Sequence, residues 1–163
     1  MNHSFAGRCQ RVTRWLRHGL GCIALASLIA PMAATAAVLP EPEARAVRGI
    51  VQAQLDAFAA GDAERAFSYA SAPLQARFGN PSQFMAMVLG GYPMVLRPAA
   101  VSFFQPETDD APTKPASSAR QVVQLRDREG RLWKAVYLLE RASGDEWRIS
   151  GCVVAADDGR SMT

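Results

Sequence analysis

The chain has 163 residues, 49% of them hydrophobic, with 18 Lys and Arg against 15 Asp and Glu for a formal net charge of +3. Arg8, Arg11, Arg14 and Arg17 all lie in the first 36 residues, so the remainder carries 14 basic against 15 acidic residues. A near-neutral remainder excludes nucleic acid and an anionic membrane surface as partners for it.

The first element reads as an export signal, with its three zones in the required order. The four arginines form the positive zone, and no acidic residue precedes Glu41. An apolar stretch follows from Leu20 to Ala30, short of the roughly 20 residues that span a bilayer. Pro31 breaks it, and Ala34-Thr35-Ala36 offers small residues for cutting after Ala36. An uncleaved N-terminal anchor is the competing reading. A lipoprotein signal does not fit, because Cys22 lies at the start of the apolar core. The arginines are three apart, which leaves no adjacent pair for twin-arginine export. The expected product is exported to the periplasm or beyond, with no membrane contact after cutting. Removing the signal also removes His3, His18, Cys9 and Cys22. Cys152 is left without a disulfide partner, and in a strand it reads as a small buried hydrophobe.

Residues 37–163 suffice for one domain, with a compact part over about 41–156. Glu41 to Ala60 predicts a helix: Val47, Ile50, Val51, Leu55 and Phe58 recur at helical spacing. Glu41 and Glu43 complement the dipole at its start. Gly61 ends it, and Asp62 caps a short helix from Ala63 to Tyr69. A third helix starts at Pro81, with Asn80 as cap and Gln83 completing a capping-box pattern, and stops at Gly90-Gly91. Tyr92-Pro93 then turns the chain into an extended segment.

The second half alternates between strands and turns. Strands are predicted over Val101 to Gln105, Arg120 to Arg126, Leu132 to Arg141 and Trp147 to Ala155, with turns at 127–130 and 143–145. Residues 106–118 hold three prolines with acidic residues and serines, and read as a mobile loop. Helices first and a meander afterwards predict an α+β fold. In the long strand, Trp133, Ala135, Tyr137 and Leu139 share one face, while Val136 and Leu138 lie on the other. A sheet with one wet face alternates polar and apolar residues, and this one does not. Either the sheet curls round an enclosed space or its outer face meets a partner subunit.

Acid–base chemistry needs a group whose pKa can be tuned near the working pH, and residues 37–163 contain no histidine. Asp56 lies opposite the apolar stripe of its helix, Asp62 is a cap, and Asp127 and Asp145 belong to turns. No catalytic residue is assigned. No Cys/His/carboxylate cluster predicts a metal, Asp109-Asp110 is too short for a calcium site, and no cofactor is expected. Gln54 falls within about 20° of the centre of the apolar stripe of its helix. It either orients a ligand or bonds to sheet backbone or a buried water, the commoner fate of buried amides. Tyr92, Trp133, Tyr137 and Trp147 either line a pocket or fill the core. Arg97 and Arg148 either meet an anionic ligand or pair with carboxylates such as Glu140 and Asp145.

Three stretches carry a family resemblance: Val51 to Asp62, Phe78 to Val88 leading into Gly91-Tyr-Pro-Met-Val95 and Arg97-Pro98, and Trp147 to Gly151. They resemble the bacterial proteins grouped as domain of unknown function 4864. The order of elements is also similar to the nuclear transport factor 2-like, or SnoaL-like, superfamily. That resemblance implies a cone-like curved antiparallel sheet round a long helix, often enclosing a pocket and often dimeric. It implies no activity.

The preferred functional expectation is non-catalytic binding of a small apolar or amphipathic ligand, or of a protein partner. A small isomerase, cyclase or hydrolase using a pocket carboxylate or tyrosine is the alternative. A homodimer with a purely structural role is the third reading.

Overall fold

The computed structural model describes residues 36–159 other than 112 and 113, so the expected signal lies outside the described residues except for Ala36. The first helix, α1 (Glu41–Ala60), has the predicted bounds. Its first turn holds Pro42, Glu41 and Glu43, a residue set suited to a helix start. Gly61 ends it at φ 71°, a left-handed conformation that glycine adopts without a Cβ penalty. The Gly61 and Asp62 amides then close the last turn on the Phe58 and Ala57 carbonyls. One face of α1 is buried from Ala44 through Val47, Val51 and Leu55 to Phe58, with Gln54 in their midst.

Helix α2 (Ala63–Ser68) starts on Asp62, whose Oδ1 accepts the Arg65 amide at 3.0 Å. Helix α3 (Ala72–Phe78) was not expected, and none of its residues is buried. The link before it is tied to the sheet: the Ile149 amide donates to the Tyr69 carbonyl, and the Ser71 amide donates to the Ile149 carbonyl. Helix α4 (Pro81–Gly91) begins where predicted, with Asn80 Oδ1 accepting the Gln83 amide at 2.9 Å. It runs through both glycines to Gly91. The segment expected to be extended instead starts with a 3-10 turn over Pro93–Val95, closed by the Leu96 amide on the Pro93 carbonyl.

Six strands among the described residues form one curved antiparallel sheet: β1 (Ala37–Val38), β2 (Ala100–Phe103), β3 (Glu107–Thr108), β4 (Ser118–Arg126), β5 (Leu132–Arg141) and β6 (Trp147–Ala156). The order is β1-β3-β4-β5-β6, and β2 pairs with β4 beside β3. A register shift between Leu138 and Leu139 leaves Ser150 of β6 as the extra residue of a bulge, a device that bends and twists a strand pair. The inner face carries Ala119, Val123, Leu125, Ala135, Tyr137, Leu139, Trp147 and Ile149, all buried. Helix α1 packs on this face against β4 and β6.

Phe84 of α4 anchors the helical layer. Its ring lies 5.9, 5.5 and 5.3 Å from those of Phe58, Phe67 and Phe78. Each such pair adds about 0.5–1.5 kcal/mol beyond the area it buries.

Within the segment expected as a mobile loop, Glu107–Thr108 form β3 and Asp110 ties back to the start of β4. Asp110 Oδ2 accepts the amides of Ser117 and Ser118 at 2.6 and 2.9 Å, together with both serine hydroxyls. At the far end, Arg141 ion-pairs with Glu43 and Asp145 and stands 4.6 Å over the Trp147 ring.

Candidate functional site

A cavity of about 440 Å³ lies between α1, α3, α4 and the β5–β6 pair. Each wall follows from a local rule. The stripe of α1 brings Gln54 and Phe58, α4 brings Met87 and Val88, and the inward period of β5 brings Tyr137. The bulge brings Ser150 into the lining between Ile149 and Cys152. The volume falls within the roughly 300–1,000 Å³ that small-molecule sites occupy.

Gln54 is 3% exposed, and its Nε2 donates to the Ala66 carbonyl at 3.1 Å. The amide is thus held by the backbone of α2, not by the sheet. Tyr137 is buried and pairs in register with Cys152. Burial raises the Tyr137 hydroxyl well above its ordinary value, and the neighbouring thiol adds to this. The hydroxyl and the thiol are close enough to interact with one another.

Cys152 departs from the expected buried hydrophobe, because its side chain is exposed. That exposure is compatible with crowding, since the residue faces the open space of the cavity. The apolar surroundings push its thiol up to about 12, with the Tyr137 hydroxyl opposing only in part.

Tyr92, half-buried, also lines this cavity, so Gln54, Tyr92 and Tyr137 come together. The other expected site residues do not join them. Arg97 and Trp133 border a second, more open depression of about 640 Å³ near the β4–β5 turn. There Arg97 Nε donates to the Ala59 carbonyl at 3.0 Å, bracing the end of α1. Trp147 is buried in the core beneath Arg141. Arg148 pairs with Glu146 at 2.6 Å and stands in register with Glu140.

No carboxylate lies among the described residues that line the first cavity. Asp127 borders the second, but its oxygens already accept the Arg131 amide, Arg131 Nε and Trp133 Nε1 at 2.8–2.9 Å. Burial pulls its carboxyl upward, yet these donors outweigh that and hold it below the usual carboxylate range. Asp56 is exposed and accepts from Gln52, and Asp145 sits in its turn at φ 68°. No group of three or more His, Cys, Asp or Glu among the described residues is placed to hold a metal.

Arg77 and Ser150 enter the lining without having been expected. Arg77 comes from a short helix that has no fully buried residue, and Ser150 from a bulge that no strand pattern announces.

The family model described as Domain of unknown function (DUF4864) matches residues 40–162. The chain belongs to that family. The family's description assigns it no reaction. Neither the curated proteins nor the solved structures gave a match. In this DUF4864 chain, the cavity at Gln54, Tyr92 and Tyr137 combines apolar walls with a few polar groups. No helix among the described residues is long and apolar enough to cross a membrane.

Proposed function

We propose that this is an exported, non-catalytic binding domain with a nuclear transport factor 2-like cone, which holds a small apolar or amphipathic ligand between α1, α4 and the β5–β6 pair. The observation that carries this reading is the cavity of about 440 Å³, with aromatic and aliphatic walls and no acidic residue among its lining. Its polar groups, Gln54 and Tyr137, suit orientation of a ligand more than proton transfer, because burial keeps the tyrosine hydroxyl protonated at neutral pH. Export is supported by the three-zone N-terminus.

Native mass spectrometry of the protein purified from the cells that make it tests the binding. The expected result is an adduct of small-molecule mass that is lost when Met87→Trp fills the cavity. Adduct-free protein that also binds no apolar probe would overturn the proposal.

A homodimer is the second reading, and a specific feature of the outer sheet face favours it. Phe104, just past the end of β2, forms a row with Val122, Val136 and Val153 across β4, β5 and β6, with Leu138 beside it. Phe104, Leu138 and Val153 are 50, 46 and 64% exposed. Contiguous apolar surface of this kind marks association surfaces.

A further inference from the structure

Arg77 supplies the charge in the cavity lining: among the described residues that line it, no other side chain is ionised at neutral pH. It is exposed, so its guanidinium stands at the rim while its stem borders the apolar interior. Among the described residues it makes no hydrogen bond or ion pair, unlike Arg97, Arg131, Arg141 and Arg148. Deeper in, the polar groups are largely committed to the protein. Gln54 Nε2 donates to Ala66, and the Tyr137 hydroxyl faces the Cys152 thiol. An occupant therefore meets apolar walls along its body and a free cation where it emerges.

We infer that the cavity takes an amphipathic anion, a single apolar tail ending in a carboxylate or similar headgroup that rests on Arg77. This rests on the ligand-binding reading above and names the class of ligand. A cationic amphiphile would be repelled at the rim, and a neutral one would leave the guanidinium to water. At about 30 Å³ for each water-sized unit, 440 Å³ accommodates on the order of 15 non-hydrogen atoms. That is the size of a medium-chain fatty acid.

Calorimetric titration of the full chain with laurate, dodecanol and dodecyltrimethylammonium, each kept below its micelle threshold, tests the inference. Laurate is expected to bind tightest, ahead of the alcohol by up to roughly fivefold, the upper range of an ion pair at an exposed rim. Arg77→Gln should bring laurate down to the alcohol's affinity and leave the alcohol unchanged, while Arg77→Lys keeps most of the preference. Met87→Trp should weaken both, with a circular-dichroism melt confirming that each variant is folded. Equal binding of laurate and dodecanol that Arg77→Gln does not alter would overturn the anion preference and leave the cavity reading standing. A preference for the ammonium compound would do the same. Failure of all three probes to bind would overturn both.

Discussion

Tyr137 and Cys152 stand opposite one another in register on β5 and β6, and both face the cavity. The pair places a hydroxyl and a thiol side by side, yet the surroundings make each a poor nucleophile. Desolvation acts first on both, and the thiol is pushed up to about 12. At pH 8 its thiolate fraction is lower by about three orders of magnitude than for an ordinary cysteine. The greater intrinsic nucleophilicity of a basic thiolate recovers part of that. Iodoacetamide should therefore modify Cys152 on the order of fifty-fold more slowly in the native protein than in urea, as followed by peptide mass spectrometry. Equal rates would show that the cavity does not shield the thiol. Because the folded pKa lies above the unfolded one, the thiol's contribution to stability declines as pH rises from about 9 toward 12.

Gln54 links two helices through one bond. Its amide satisfies the Ala66 carbonyl, and both residues are buried. Gln54→Ala leaves that carbonyl without its partner and opens space beside Phe58. The expected cost is about 1–3 kcal/mol, lowering the melting temperature by on the order of 3–10 °C. A calorimetric scan checks this, and an unchanged melting temperature would mean the bond contributes nothing net.

These two residues show what was legible beforehand. The inward position of Gln54 follows from the 3.6-residue period, and that of Tyr137 from the two-residue period of β5. The bounds of α1 are equally readable, because acidic residues and proline at one end and a glycine–aspartate pair at the other agree with the apolar stripe. Helix α3 was not readable. Ala72 to Phe78 has no buried residue, and what fixes its place is a backbone link between Tyr69, Ser71 and Ile149, a contact across more than 70 residues that no local pattern encodes. The cavity needs this helix, so Arg77 escaped with it. Gln121 was missed for a related reason. It is an inward-facing amide in a strand whose Nε2 donates to the Phe104 and Val122 carbonyls while its Oε1 has no partner among the described residues, and such pairing depends on where β2 ends.

Asp110 explains why a segment with loop composition is held in place. Backbone amides of Ser118 and Ser117 lower its pKa to about 2 from an ordinary 3.8. A depressed carboxylate stabilises above its unfolded pKa, and that contribution is lost as pH falls through the folded one. Hydrogen exchange at the Ser117 and Ser118 amides should therefore stay slow at pH 5 and accelerate, relative to the intrinsic rate, as pH drops from 4 to 2. Asp110→Asn should show the accelerated exchange already at pH 7. Protection that survives in the variant would move the staple elsewhere.

Phe84 contacts three phenylalanines and is 5% exposed. Phe84→Ala removes the shared member of the cluster and leaves a void that α2 and α4 cannot fully close. The expected loss is about 3–5 kcal/mol, read as a denaturation midpoint shifted to lower urea with an unchanged slope. A loss below about 1 kcal/mol would mean the helical layer repacks, contrary to its role as an anchor for the cavity wall.

The outer sheet face permits a test that leaves the cavity untouched. Val153 and Leu138 point away from α1 and are 64 and 46% exposed, so charge there costs the folded monomer little, within about 0.5 kcal/mol. In a dimer built on the Phe104–Val122–Val136–Val153 row, the same charge would lie near the centre of the interface, where unpaired charge is most costly. Light scattering should give twice the chain mass for the native protein at micromolar concentration. Val153→Glu with Leu138→Glu should give the monomer mass, with an unchanged melt at low concentration. The two substitutions sit on adjacent strands, so a surviving dimer would have to use another surface. If the native protein itself stays monomeric at high micromolar concentration, the face is not a self-association surface. Its apolar row would then call for a different partner.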